Sequence, residues 1–288
     1  MNLFDSHAHY NDEKFDIDRE KIIKETLNNG VSNFIVAGYN IESSIKAVEI
    51  AQKYKEAYAI VGISPNDLEN IKTTEDINDL IYKLENIING NLQCMGRTLG
   101  QSVNYKKNNI KMEREINNKI VAIGEIGLDY YWNKENKEIQ KEIFIKQIEI
   151  ANKYELPIVI HTREAVNDTL QILRENQVVK KGIFHCCPLN RELIKEALRL
   201  DYYISLSGVI TFKNAKNAEE IINLIPDDKL LIETDSPYLS PEPLRGKRNN
   251  SINVKYVAEK IANVKNKTLE EIADITRKNA KRIFSIDV

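Results

Sequence analysis

The sequence predicts an α/β fold, a (β/α)8 TIM-type barrel, regular or somewhat distorted, on three observations. Eight short runs are rich in Val and Ile and apolar on nearly every residue, as parallel strands buried on both faces must be. Amphipathic stretches of helical period separate them, the alternation that βα units leave in a sequence. The count of eight favours a closed barrel over an open doubly wound sheet, and the phosphate-binding G-x-G-x-x-G of a dinucleotide-binding sheet follows none of them. A chain of 288 residues suits one such barrel, a single unit over residues 1–288.

The strands read in order as NLFDSHA, VSNFIVAG, AYAIVGIS, KIVAIGEIGLD, PIVIHT, GIFHCC, DYYISLSG and KLLIETDS. Helical patterns fall at Asp18–Asn29, Glu42–Tyr54, Glu138–Tyr154, Arg163–Asn176, Asn190–Arg199 and Ala215–Leu224. The tail from Ser251 to Phe284 reads as two closing helices. Residues 66–119 are long for one βα connection. Their middle is rich in Asn and Lys with several glycines. It reads as an insertion between strands three and four, with Lys106, Lys107, Lys111 and Arg114 on a solvated face.

Composition excludes more than it assigns. Lys and Arg total 41 against 43 Asp and Glu, a net charge of −2. That balance gives no global attraction to nucleic acid or an anionic membrane, so any nucleic-acid contact needs a local patch. Three cysteines, Cys94, Cys186 and Cys187, are odd in number and do not suit a disulfide framework, so a cytoplasmic setting is expected. No apolar run approaches 18 residues and no signal-peptide pattern opens the chain, so neither a membrane span nor a leader is expected. A monomer is the default.

In such a barrel, chemistry sits at the C-terminal ends of the strands. All four histidines fall there: His7 and His9 at the end of the first strand, His161 ending PIVIH and His185 ending GIFH. Glu125 and Asp235 each follow a hydrophobic run that would bury them, and a buried unpaired carboxylate is costly. Each residue has an ordinary reading alone: a hydrogen-bonded loop histidine, a Glu125–arginine pair, an Asp235 turn cap at Ser236-Pro237. One metal site explains all six together. Side chains at i and i+2 on a strand share a face, so His7 and His9 can approach one ion. Imidazole and carboxylate without thiolate suit Zn, Mn, Co or Ni, and Mg with more water. Six ligands exceed one open catalytic zinc site, which favours two cations and a bridging carboxylate. Cys186 and Cys187 face opposite ways beside His185 and read as packing residues. Asp5 reads as a hydrogen-bond partner behind the site, placed to fix a histidine tautomer.

With FDSHAHY, AIGEIGLDYYW, PIVIHTREA, IFHC, YYISLSGVITFKNA, LLIETDSPYLSP, RGKRN and NAKRIF, most of the chain resembles the TatD family of metal-dependent hydrolases, among the amidohydrolase-like barrels. The resemblance implies a deoxyribonuclease that releases nucleotides from DNA ends and uses two divalent cations, Mg, Mn or Zn. It implies one cation on His7, His9, Glu125 and Asp235, and a second on Glu125, His161 and His185, with Glu125 bridging. Glu125 and Asp235 become the catalytic pair, and DNA, single-stranded or presenting an end, the partner. One position departs. The family's G-x-H-P after the third strand reads VGISPND here, with Ser64 in place of the histidine. A serine cannot serve as an acid–base group near neutral pH, which opens the substrate side. The rivals are hydrolysis of a small ester, lactone or amide on the same metals, and a non-catalytic partner-binding barrel. Candidate substrate contacts are Ser64, Arg163, Arg245 and Arg248. Arg163 suits either a phosphate or a carboxylate. The Arg245, Lys247, Arg248 cluster reads slightly more as a salt-bridged loop than as a phosphate contact. Tyr130, Tyr131 and Trp132 read mainly as packing, with base stacking as the alternative.

Overall fold

A computed structural model describes residues 2–91 and 118–287. Eight parallel strands lie side by side in chain order: β1 (Leu3–Ala8), β2 (Val31–Ala37), β3 (Ala57–Val61), β4 (Ile120–Asp129), β5 (Ile158–Arg163), β6 (Gly182–Phe184), β7 (Tyr203–Leu206) and β8 (Leu230–Ile232). The sheet curls into a nearly closed TIM-type barrel, and a parallel bridge between Ala8 and Ser236 joins its two ends. Polar side chains fasten that seam. Ser6 Oγ donates to the Ile232 carbonyl at 3.0 Å and meets Ser205 Oγ at 2.9 Å. Asp5 accepts from the Thr234 amide at 2.9 Å and its hydroxyl at 2.6 Å.

Helices α1 (Arg19–Asn28), α2 (Ile41–Lys53), α3 (Thr74–Ile88), α4 (Lys137–Lys153), α5 (Val166–Glu175), α6 (Arg191–Arg199) and α7 (Ala218–Leu224) follow strands β1 to β7 in turn. The chain closes with α8 (Val254–Lys265) and α9 (Leu269–Ile283). Local chemistry sets several starts. Asn40 with Ser43, Thr73 with Asp76 and Thr268 with Glu271 make reciprocal caps that satisfy the first free amides of α2, α3 and α9.

Two details depart from the sequence reading. The long connection after β3 is not all excursion: it contains the barrel's own third helix, which buries Ile77, Leu84, Ile87 and Ile88. Cys94 and the basic residues Lys106, Lys107, Lys111 and Arg114 lie outside the described residues. Arg163 does not open a helix. It pairs with Asp129 as the last residue of β5, and α5 begins at Val166.

The apolar interior has two compartments. One lies between the strands and the surrounding helices. The other fills the barrel, where Phe4, Ile35, Ile60, Val121, Val159 and Leu231 meet Ile283, Phe284 and Ile286. The end of α9 therefore plugs the mouth where the strands begin. Phe284 stacks on Phe4 with ring centroids 6.3 Å apart. The opposite mouth carries the polar residues.

Candidate metal centre

Each of the six side chains comes from the C-terminal half of a strand or the turn after it. His7 lies in β1 and His9 just beyond it; Glu125 lies within β4 and His161 within β5; His185 directly follows β6, and Asp235 lies three residues past β8. The structure brings all six together. Glu125 stands in the middle, with its two oxygens facing different groups. Oε2 lies 3.6 Å from His7 Nε2 and 3.8 Å from His9 Nε2. Oε1 lies 3.1 Å from His161 Nδ1 and 3.3 Å from His185 Nε2. Asp235 Oδ1 joins the first group, 3.2 Å from His9 Nε2 and 3.7 Å from His7 Nε2.

These separations fit cation ligands. Two donors about 2.1 Å from one ion at tetrahedral corners lie about 3.4 Å apart. Donor atoms of His7, His9 and Glu125 all fall within 4.8 Å of one another, as do those of Glu125, His161 and His185, and those of His7, His185 and Asp235. The outward ring nitrogens add to the fit. His9 Nδ1 meets the Ala37 carbonyl at 3.0 Å, and His161 Nε2 meets Asp129 Oδ2 at 2.9 Å. His185 Nδ1 lies 3.4 Å from Glu233 Oε1, a loose ion-pair distance without hydrogen-bond geometry. An acceptor on the outer nitrogen holds the proton there and turns the inner lone pair toward a shared point. His7 Nδ1 is buried without a hydrogen-bond partner.

The charges are strongly coupled. Burial by itself would raise the Glu125 carboxyl. The charge of His185 and hydrogen bonds from His161, His185 and His7 outweigh it and hold the group well below the carboxylate range. Burial likewise opposes ionisation of Asp235, but His9, His7 and His185 bring it down to about 2. Burial lowers every imidazole. Glu125 and Glu233 more than offset this at His185, Asp129 and Glu125 at His161, and Asp235 and Glu125 at His9, so all three are raised. His7 is lowered, by burial first and then by His185 and His9. Two ionised carboxylates among imidazoles, on donor types suited to Zn, Mn, Co or Ni, make a site whose protons a cation can replace.

The family model described as TatD related DNase matches residues 4–285. The chain belongs to the TatD family. Over 286 residues it is 42% identical to the uncharacterized metal-dependent hydrolase YabD of Bacillus subtilis, spanning 99% of this chain and all of that protein. It is 40% identical over 210 residues to the uncharacterized metal-dependent hydrolase YcfH of Escherichia coli K12, 73% of this chain and 78% of that one. Among solved structures, YJJV, a TatD homolog from Escherichia coli K12, superposes with a TM-score of 0.82 at 22% identity, covering 99% of this chain and 98% of that one. At that identity the likeness concerns the fold.

Around the centre of this TatD protein, two carboxylates went unnoticed in the sequence. Asp129 holds His161 and is itself held by Asn66 Nδ2 at 3.2 Å. Glu233, fully buried, accepts from the Cys186 amide at 2.7 Å beside His185. Their positions, ending the GLD of β4 and two residues before Asp235, were the available signal.

Other candidates lie elsewhere. Asp5 makes no hydrogen bond to a histidine ring. The strand register shifts between Asp5 and Ala8, and Asp5 accepts from the His7 amide at 3.3 Å while tying β1 to Thr234. Burial pushes its carboxyl up to about 7 against the hydrogen bonds that favour its charge. Ser64 does not join the six: its hydroxyl accepts from the Asn66 amide at 3.4 Å in the turn after β3. The basic cluster past β8 divides. Arg248 grips both oxygens of Asp18 at 2.9 and 2.5 Å, and Arg245 lies over the Phe212 ring at 3.8 Å. Cys186 and Cys187 are free thiols, both raised by burial. Tyr130 is buried, but Tyr131 and Trp132 are 44% and 65% exposed, so packing accounts for one of the three aromatics.

Proposed function

We propose that this chain is a metal-dependent deoxyribonuclease that cleaves DNA phosphodiester bonds, using two divalent cations at the end of the barrel. The observation that carries the reading is the divided Glu125 carboxylate, with His7 and His9 around one oxygen and His161 and His185 around the other, while Asp235 faces His9 and His7. The DNase description of the family model and the metal-dependent hydrolase descriptions of the two bacterial relatives support it.

His7, His9, Glu125 and Asp235 would hold one cation, and Glu125, His161 and His185 the other. Cations bound there supply charge against the phosphoryl oxygens and make water a competent nucleophile near neutral pH. Asp235, beside the attacking water, would orient it and take up its proton. Asp129 keeps His161 aimed inward through its hydrogen bond, and Glu233 sets a negative charge beside His185, so the donors are prepared before substrate arrives.

The test is a substrate panel under one metal condition: single-stranded DNA, RNA and small carboxylic esters. Chelator-treated protein should lose DNA hydrolysis, and Mn or Mg should restore it. Turnover of the esters with no action on DNA would transfer the site to the rival chemistry. A stripped protein that digests DNA at the full rate would remove the metals from the account.

A further inference from the structure

Beside His161 lies a surface the reaction leaves unexplained. Tyr131 and Trp132 are exposed, with ring centroids 4.8 Å apart and planes nearly perpendicular. The Arg163 guanidinium lies over both, 3.9 Å from the Tyr131 centroid and 5.5 Å from that of Trp132. No carboxylate pairs with Arg163 among the described residues. Exposing a tryptophan and a tyrosine together forgoes the burial that such rings ordinarily gain. Stacking an unneutralised guanidinium on them leaves its N–H edge free for an acceptor.

This surface is rigidly tied to the centre. Asp129 Oδ1 accepts from the amides of Tyr131 and Trp132 at 2.9 and 3.0 Å, while its Oδ2 holds His161. The Tyr130 amide donates to the Arg163 carbonyl at 2.9 Å, and Arg163 is two residues beyond His161 on the same strand. One carboxylate thus positions both a ring nitrogen of the centre and the backbone beneath two exposed rings.

We propose that Tyr131, Trp132 and Arg163 form a substrate platform that takes an unpaired nucleobase against Trp132 and the adjoining phosphate on the Arg163 edge. The inference rests on the nuclease reading and names the residues that read the strand. Aromatic faces stack on any base but only on one that is not already paired. A guanidinium matches phosphate oxygens bidentately. The platform therefore favours single strands and frayed ends and is tolerant of sequence.

Trp132 is the only tryptophan in the chain, so its emission reports on this one surface. Phosphorothioate-linked oligodeoxythymidylate, which resists hydrolysis, is titrated into the metal-loaded full chain. Trp132 emission should be quenched in step with binding followed by polarisation of the labelled oligonucleotide. A blunt duplex clamped by G·C pairs at both ends, with its bases paired, should quench weakly. Trp132→Ala should weaken binding about 5- to 150-fold, the range for loss of one stacked base, and raise KM for single-stranded DNA more than it lowers kcat. Trp132→Phe should restore most of the affinity. Unchanged emission at saturation, or wild-type affinity in Trp132→Ala, would overturn the platform. Digestion of DNA without quenching removes the platform and keeps the nuclease. Quenching without digestion keeps the platform as a nucleic-acid surface and removes the nuclease.

Discussion

Where the strands begin, Phe4, Ile35, Val121 and Leu231 close on Ile283, Phe284 and Ile286; where they end, four imidazoles meet two carboxylates. The same eight strands serve both mouths. The lower one is held by apolar burial, which is stable without any partner. The upper one is held by opposite charges that compensate each other's desolvation, a weak source of stability when buried but a ready source of ligands. The difference teaches how a barrel can afford such a site. The sealed base fixes the strand ends, and the strand ends fix the donors.

The sharpest way to break this comparison is to remove one group from each mouth. Glu125→Ala should cut DNA hydrolysis by well over 100-fold, because loss of outer-shell partners alone costs about 10- to 100-fold, while circular dichroism shows a folded barrel. Phe284→Ala should do the reverse. Truncating this buried ring should lower the unfolding free energy by about 3–5 kcal/mol, read by denaturant titration, with metal affinity held within about twofold. A Glu125 variant that unfolds, or a Phe284 variant that loses metal with its stability intact, would erase the division.

The sequence carried the barrel and the six convergent residues clearly, because each interrupts an apolar run at the same point of a βα repeat. It hid what depends on distant pairing. Asp129 closes a strand like any polar terminal residue until the fold sets it 2.9 Å from His161, 32 positions away. Arg248 reads slightly more as part of a salt-bridged loop than as a phosphate contact, but its partner Asp18, 230 positions off, cannot be named from the sequence. Helix α3 was masked by an overlong connection, although Thr73 and Asp76 mark its start.

Smaller effects sharpen the upper mouth. Asp129→Asn should weaken metal binding about 10- to 100-fold by calorimetry, since His161 loses its charged acceptor. Metal affinity should fall on acidification. His9, His161 and His185 are raised above the ordinary imidazole value, so they keep protons to higher pH and must release them to bind metal. Glu125 and Asp235 stay ionised throughout this range, so the fall between pH 8 and pH 6 belongs to the imidazoles, at most about tenfold per pH unit for each proton displaced. An affinity flat over that range would contradict the assigned ligands. Smallest of all, Arg248→Ala should cost about 1 kcal/mol or less, as expected of a partly exposed ion pair.

The central claim is that Glu125 stands between two cations. Anomalous diffraction from a crystal soaked in Mn tests it directly. Two peaks are expected, one among His7, His9 and Asp235 and one between His161 and His185, each beside a different oxygen of Glu125. A single peak at full occupancy, or none, would contradict it.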